Sequence, residues 1–521
     1  MSIEYRAGAF FSDRLSRILA SKQTIQQPHG RVGRNPGQTK LSALELRISD
    51  AVTLAVPASL KSITTYVLLE QESWFEKEME FLRHWLRTGM TVIDIGANLG
   101  VYSLPMARLV GPTGQVFAYE PGSEPRALLE RSRELNAAHH LHISPLALSD
   151  CEREGRLVFG SSSELSALGD GGAGEAIRIT SLDHEDAVTG WPSPDFMKID
   201  AEGEEERILA GGQKFFERHS PLIMFEIKAG TTTNERLRAL FPAIGYRLFR
   251  QLGHAPILIP DDPQQPLDAF ELNLFAAKPD RVNALSQQGL LVDAMLAWAP
   301  GENDRTKADA FLLGQKFAPL IELSRGDDAA DDFDYRNSVA AYAIWRAPDQ
   351  PVATRCAALA FALQGLRAAC ERSPTAGRLS TFARVAWEWG ARGESVAALQ
   401  RLLQSLQDGP ITLGEPFWPA SERFDAMAPG SQPANWFVGA AAEQFERTFG
   451  FSSSFTGGSP VLTWLCGQPF ASAEMERRRV LLAARAGQRP TIPSRLCTPA
   501  ADHLNANLWR AGKVPGTVVG S

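Results

Sequence analysis

Over the first 280 residues the apolar positions fall into short β-branched or aromatic runs separated by stretches of helical period. Thr91-Val92-Ile93-Asp94-Ile95 enters a loop containing Gly96 and Gly100, after which residues 102–109 read as the start of a helix. Further runs begin near 115, 141, 195, 221, 245 and 270, with helical stretches between most of the first five. This alternation predicts a doubly wound, seven-stranded α/β sheet that closes with an antiparallel pair over 246–251 and 270–277. Upstream, apolar runs over 51–69 predict a small hairpin. Residues 71–87 place Phe75, Met79, Leu82 and Leu86 on one stripe, widened by Trp74, Phe81 and Trp85. The spacing predicts a single amphipathic helix on the sheet edge, with a lid over a ligand as the sharper alternative.

From Val282 onward the chain shifts to Ala, Leu and Arg at helical spacing, with helices expected over 354–372, 436–448 and 472–486. Phe382, Ala386, Trp389, Gly393, Ala398, Leu402 and Pro410 stand at the offsets of one tetratricopeptide-like helix pair. The domain plan is therefore a mobile polar arm over 1–50, a sheet domain over 51–280, a helical domain over 285–490 and an irregular tail over 491–521. All strand runs precede Pro279, so the first part is expected to fold and bind its ligand without residues 290–521.

Composition removes several functional classes. The 521 residues are 44% hydrophobic and 22% charged, as in an ordinary globular protein, and the net charge of -7 leaves no basic footprint for nucleic acid. Apolar runs are too short for a membrane span, and residues 1–21 are broken by Glu4, Arg6, Asp13, Arg14 and Arg17 where a signal peptide would be apolar. A cytoplasmic protein is expected. Its five cysteines lack a Cys-x-x-Cys pair, so neither disulfides nor a zinc site is expected. His139, His140 and His142 sit at the wrong end of a strand for a ligand site, and the acidic run over 327–332 reads as a solvated loop. Glycine and serine over 160–174 suggest a mobile gate.

The chemistry concentrates at strand ends. Gly96-x-x-x-Gly100 differs from the Gly-x-Gly-x-x-Gly turn that cradles a pyrophosphate. Asp94, just before it, repels phosphate and suits an ammonium, which points to a cationic nucleoside such as S-adenosylmethionine. Glu120 ends the next strand twenty residues after Gly100, where a carboxylate can accept both ribose hydroxyls. Ser149 and Asp150 end the third strand, within reach of an adenine amino group. Lys198 and Asp200 share one face of the fourth, and a lysine in a central strand needs a partner, for which Glu226 on the adjoining strand is the expected choice.

Together, the segments 93–103, Tyr119-Glu120-Pro121, Ala147-Leu148-Ser149-Asp150, Ser181-Leu182-Asp183, Lys198-Ile199-Asp200-Ala201-Glu202-Gly203 with Glu205, and Phe225-Glu226 resemble the FkbM-type family of S-adenosylmethionine-dependent methyltransferases. Ala201 stands where that family more often has valine. The resemblance covers about residues 50–280 and implies a class I methyltransferase sheet and methyl transfer to oxygen, usually on a sugar, glycan or secondary-metabolite hydroxyl. Asp94, Gly96 and Asn98 would then hold the methionine end, Glu120 the ribose and Asp150 the adenine edge, with Gly100, Tyr102 and Ser149 also in the cofactor site. Asp200 and Glu202 are the first choices for base or acceptor orientation, with Lys198 and Glu226 beside them; a metal held by Asp200 and Glu226 ranks lower. The helical part would dock the acceptor or a protein partner. Two rivals remain: a nicotinamide oxidoreductase, and a helical interaction protein with a vestigial methyltransferase domain.

Overall fold

A computed structural model describes residues 42–158, 167–169, 174–229, 232–324, 333–408 and 412–519. The expected arm over 1–41, most of the glycine-serine segment, the acidic run from 327 to 332 and Pro410 lie outside these residues. The chain begins with an antiparallel hairpin of β1 (Ala43–Arg47) and β2 (Thr53–Pro57), so part of the stretch assigned to the arm is strand. A helix over Ile63–Gln71 follows, opened by a Ser62 side chain that accepts from the Thr65 amide. It occupies much of the region expected to complete the hairpin. At Glu72 the backbone turns left-handed (φ 57°), and a second helix runs over Glu78–Trp85. The single helix expected over 71–87 is thus broken, and residues 72–77 form a connecting segment.

The remaining strands are β3 (Thr91–Ile95), β4 (Gln115–Tyr119), β5 (Leu141–Ser144), β6 (Leu146–Ser149), β7 (Arg153–Val158), β8 (Ala167–Gly169), β9 (Glu175–Ser181), β10 (Phe196–Ile199), β11 (Leu222–Glu226), β12 (Lys228–Ala229), β13 (Thr232–Thr233), β14 (Arg247–Gln251), β15 (Leu258–Pro260) and β16 (Asn273–Ala277). The main sheet has the order β15-β14-β16-β11-β10-β3-β4-β5. β5, β4, β3, β10 and β11 are mutually parallel, whereas β16 runs antiparallel to both β11 and β14. The seven expected strands are all present, in the expected doubly wound arrangement, and β15 adds an eighth at the edge. The run expected to be one third strand is split at Pro145, which lacks an amide hydrogen for the ladder. Its second half, β6, leaves for a separate four-stranded sheet of order β6-β9-β7-β8.

The helical half is packed against this sheet. Its helices lie in consecutive pairs, Phe333–Trp345 with Val352–Arg372 and Ala376–Trp389 with Arg392–Asp408, the last being the pair expected from the repeat-like offsets. Leu252, Ile257 and Ile259 beside the sheet edge belong to the same apolar cluster as Leu312, Phe317, Leu359 and Val385. Gly253 has φ +50°, and a Cβ there would stand 2.0 Å from the Glu388 carbonyl oxygen, so the two backbones touch. The C-terminal stretch returns to the opening hairpin. Val480, Leu481, Leu496 and Trp509 are buried with Leu46, Leu54 and Leu68.

Charge reinforces this second contact. Arg478 pairs with buried Glu70 at 3.0 Å, and Arg477 with Glu72 at 3.3 Å. Glu72 also accepts from the Leu504 and Asn505 amides at 2.6 and 2.9 Å, so the segment expected to be an irregular tail anchors the break between the first two helices. Among the described residues no helix is long and apolar enough to cross a membrane.

Candidate active site

In a doubly wound sheet ligands bind beyond the carboxyl ends of the parallel strands, where the strand order reverses. Here that point is β3, flanked by β4 and β10. A cleft of about 230 Å3 opens there, lined by the turn from Asp94 to Leu99, by Tyr102 and Glu120, by Lys198, Asp200, Glu202 and Glu226, and by Trp74, Phe75 and Glu76 of the connecting segment.

The glycine turn is built by contact with a second turn. Gly96 has φ +80°, and a Cβ on it would lie 1.8 Å from the Asp200 carbonyl oxygen, so only glycine lets the β3 and β10 exits abut. The Gly96 and Ala97 amides both donate to the Tyr119 carbonyl, at 3.1 and 3.0 Å, and the Gly100 amide donates to Ala97 at 2.8 Å. The Asn98 amide donates to Glu120 Oε2 at 2.8 Å. With four amides of the turn committed inside the protein, the loop has the wrong donors for a pyrophosphate. Gly100 packs against Leu104 and Leu129 and is absent from the cleft lining.

Two acceptors in the lining have the opposite need. Asp94 is fully buried; its Oδ2 accepts from the Ser103 hydroxyl at 2.5 Å, while its Oδ1 has no hydrogen-bond partner. Asn98 Oδ1 is likewise buried and without one. Burial raises the Asp94 carboxyl above its usual range, against the pull of the Lys198 ammonium and the Ser103 hydroxyl. A ligand that fits must bring hydrogen-bond donors to this end, as an ammonium group does.

Glu120 lies at the tip of β4, with Oε2 bonded to the Asn98 amide and Oε1 to the Gly122 amide at 2.7 Å. Burial pushes it up to about 7, although both amides favour the charged form. Ser149 and Asp150 do not line the cleft. Ser149 is buried and donates to Glu204 Oε2 at 2.6 Å, and Asp150 points outward beside Arg153. Their displacement follows from the split at Pro145, which carries β6 away from the main sheet. Leu146, Ala147, Leu148 and Leu157 form the apolar wall on that side instead.

Lys198 is buried, and its Nζ sits 2.6 Å from Asp200 Oδ2 and 5.1 Å from the Tyr102 ring centre. The expected cross-strand partner, Glu226, does not take it. Burial pulls the ammonium down, but the carboxylates of Asp200, Asp94 and Glu76 outweigh this and hold it above the ordinary lysine range. Glu226 is pushed up to about 11 by burial and by Asp200, Glu202, Glu205 and Glu76 around it, so it carries a proton at neutral pH. Glu202 occupies a left-handed turn position (φ 51°) at the same rim.

Glu76 was not singled out from the sequence. Trp74 Nε1 donates to its Oε1 at 2.8 Å; Tyr102 Oη and Asn273 Nδ2 donate to its Oε2 at 2.8 and 2.9 Å. The signal available was an acid within an aromatic run, but a regular helix would have carried it to solvent. Tyr102 therefore reaches the cleft as a donor to Glu76.

Residues 94–248 match the family model described as methyltransferase FkbM domain. No curated protein matches the chain. Among solved structures, methyltransferase FkbM from Methylobacillus flagellatus KT is similar at 18% identity over 36% of this chain and 43% of its own, with a TM-score of 0.26. This alignment thus spans less than half the length of that protein. A SAM-dependent O-methyltransferase from Thermotoga maritima aligns at 17% identity over 45% of this chain and 77% of its own, TM-score 0.25. A putative rRNA-methylase from Clostridium thermocellum aligns at 14% identity over 40% and 96%, TM-score 0.26.

Proposed function

We propose that this protein is an S-adenosylmethionine-dependent O-methyltransferase acting on a hydroxyl of a sugar, glycan or secondary metabolite in the cytoplasm. The observation that carries the reading is the pair of buried acceptors without donors, Asp94 Oδ1 and Asn98 Oδ1, at a glycine turn whose amides are already bonded. Asp94 and Asn98 would hold the amino group of the methionine end, and Glu120 the ribose hydroxyls. The apolar wall from Leu146 to Leu148 would face the adenine ring, in place of the side chains of Ser149 and Asp150.

When bound, S-adenosylmethionine supplies an electrophilic methyl group on a sulfonium. The protein's tasks are to align the acceptor oxygen behind that methyl and to take the hydroxyl proton as the C–O bond forms and the C–S pair leaves with sulfur. Asp200 suits the second task because it lines the cleft with one of its oxygens held by Lys198. Glu202 at the same rim is the alternative. Glu226, already protonated, can donate a hydrogen bond to the acceptor but cannot serve as the base. The helical half would contribute to acceptor docking.

The test is ligand-induced stabilisation. S-adenosylhomocysteine at a hundred times its Kd should add about 2.7 kcal/mol to unfolding, and NAD at the same concentration nothing. Stabilisation by NAD alone would refute the reading. Mass spectrometry of a nucleoside retained through purification gives a second readout.

A further inference from the structure

The family match begins at Asp94, within β3, yet the cleft has a wall that lies outside it. That wall is the 72–77 segment, which brings Trp74, Phe75 and Glu76 to the donor side of the sheet. Glu76 is held by three neutral donors, Trp74, Tyr102 and Asn273, and it makes no ion pair among the described residues. The nearest ammonium, that of Lys198, is engaged by Asp200. Burial raises the Glu76 carboxyl above its usual range against the pull of a Lys198 ammonium that it must share with Asp200, so its charged form is costly in the free protein. The cost makes sense if a ligand supplies the missing positive charge.

The other acids of the lining have different work. Asp94 lies at the glycine turn and Glu120 at the β4 tip; Asp200 is neutralised by Lys198, and Glu226 is protonated. Glu204 accepts from Ser149. Glu202 sits on the β10 exit loop, outside the donor-side turn. Among the described residues Lys198 is the sole cation of the lining, so the cleft carries a surplus of negative charge.

We infer that Glu76 is a specificity-determining residue for the donor: its carboxylate reads the positive charge of the sulfonium and so favours the methylated donor over the neutral product. The inference rests on the methyltransferase reading above. It assigns part of the donor site to a segment outside the matched domain. It also gives that segment a task, which is to bind the substrate form tightly and let the spent form go once the charge has been transferred away.

The experiment compares equilibrium binding of S-adenosylmethionine and S-adenosylhomocysteine to the full chain by calorimetry, with no acceptor present. The wild type is expected to bind the methylated form more tightly. Glu76→Gln, which keeps the shape and loses the charge, should weaken S-adenosylmethionine about ten- to a hundredfold and leave S-adenosylhomocysteine within about twofold. Glu76→Asp should retain part of the preference, and Glu78→Gln, a buried acid next along the chain but outside this lining, should retain all of it. An unchanged affinity ratio in Glu76→Gln overturns the inference, as does an equal loss for both ligands, which would mark Glu76 as a structural support for Tyr102 and Asn273. If neither ligand binds the wild type, it is the methyltransferase reading that fails.

Discussion

The packing of residues 290–521 against the sheet half predicts that the sheet half needs them to fold. Consider a fragment ending at residue 285. It loses Arg478 and Arg477, which leaves Glu70 and Glu72 without their cations although both are nearly inaccessible, at 0% and 3% exposure. The cut removes the segments that bury these carboxylates together with their cations, so water can solvate them and the cost falls on the apolar contacts. The cut also uncovers Leu252, Ile257 and Ile259 on one side and Leu46, Leu54 and Leu68 on another. Each large apolar side chain returned to water forfeits about 1.5–3 kcal/mol. Against a typical total stability of about 5–15 kcal/mol, the loss from these six side chains is enough to abolish folding. Expressed alone, 42–285 should be insoluble, or soluble without a cooperative melt and without a shift from S-adenosylhomocysteine. A smaller perturbation isolates the electrostatic part: Arg478→Ala in the full chain should lower stability to urea by about 3–5 kcal/mol. A monomeric fragment that melts cooperatively and is stabilised by the ligand would refute the shared-core argument.

Other consequences are narrower. Glu120→Ala should weaken S-adenosylhomocysteine roughly ten- to a hundredfold by calorimetry, since a hydrogen bond to a charged group contributes about 1.5–3 kcal/mol. Asp200→Asn should leave that affinity intact and lower turnover by about 10²–10⁴ once an acceptor is in hand, because the proton then lacks its carboxylate. Glu226 is raised from 4.5 unfolded to about 11 folded, so its contribution is present below about pH 4.5 and is lost as the pH rises through the folded value. Glu226→Gln removes this loss, and its urea midpoint should exceed the wild type's by more at pH 8 than at pH 5.

The sheet was legible because strands β3, β10 and β11 are buried on both faces and must therefore be written in apolar runs, with glycine or an acid where they end. Asp94, Asn98, Glu120, Lys198 and Asp200 could be placed at the cleft for the same reason: strand ends are local features. What sequence did not reveal depended on partners far along the chain. The helical stripe over 71–87 continues through Glu72, but the break there is stabilised by amides of Leu504 and Asn505, and Glu76 enters the cleft only because of it. The run over 141–148 carries a strand pattern throughout, and Pro145 decides that it belongs to two sheets. Lys198 chose the acid two residues ahead, just past the end of its own strand, over the one across the ladder, where four neighbouring acids favour a protonated Glu226.

The seam between the first helix and the C-terminal stretch also sets a timetable. Glu70 and Arg477, joined there through the Glu70 carbonyl, stand 407 residues apart in sequence. At a synthesis rate of roughly 5–20 residues per second, the ribosome needs about 20–80 s to make the arginine after the glutamate has emerged. During that interval the opening hairpin and first helix have neither their cations nor their apolar cover, and the segment carrying Glu76 has no anchor. The emerging polypeptide must therefore be kept from aggregating over most of its translation. The cleft wall that carries Glu76 is therefore anchored only after residues 477–505 have been made.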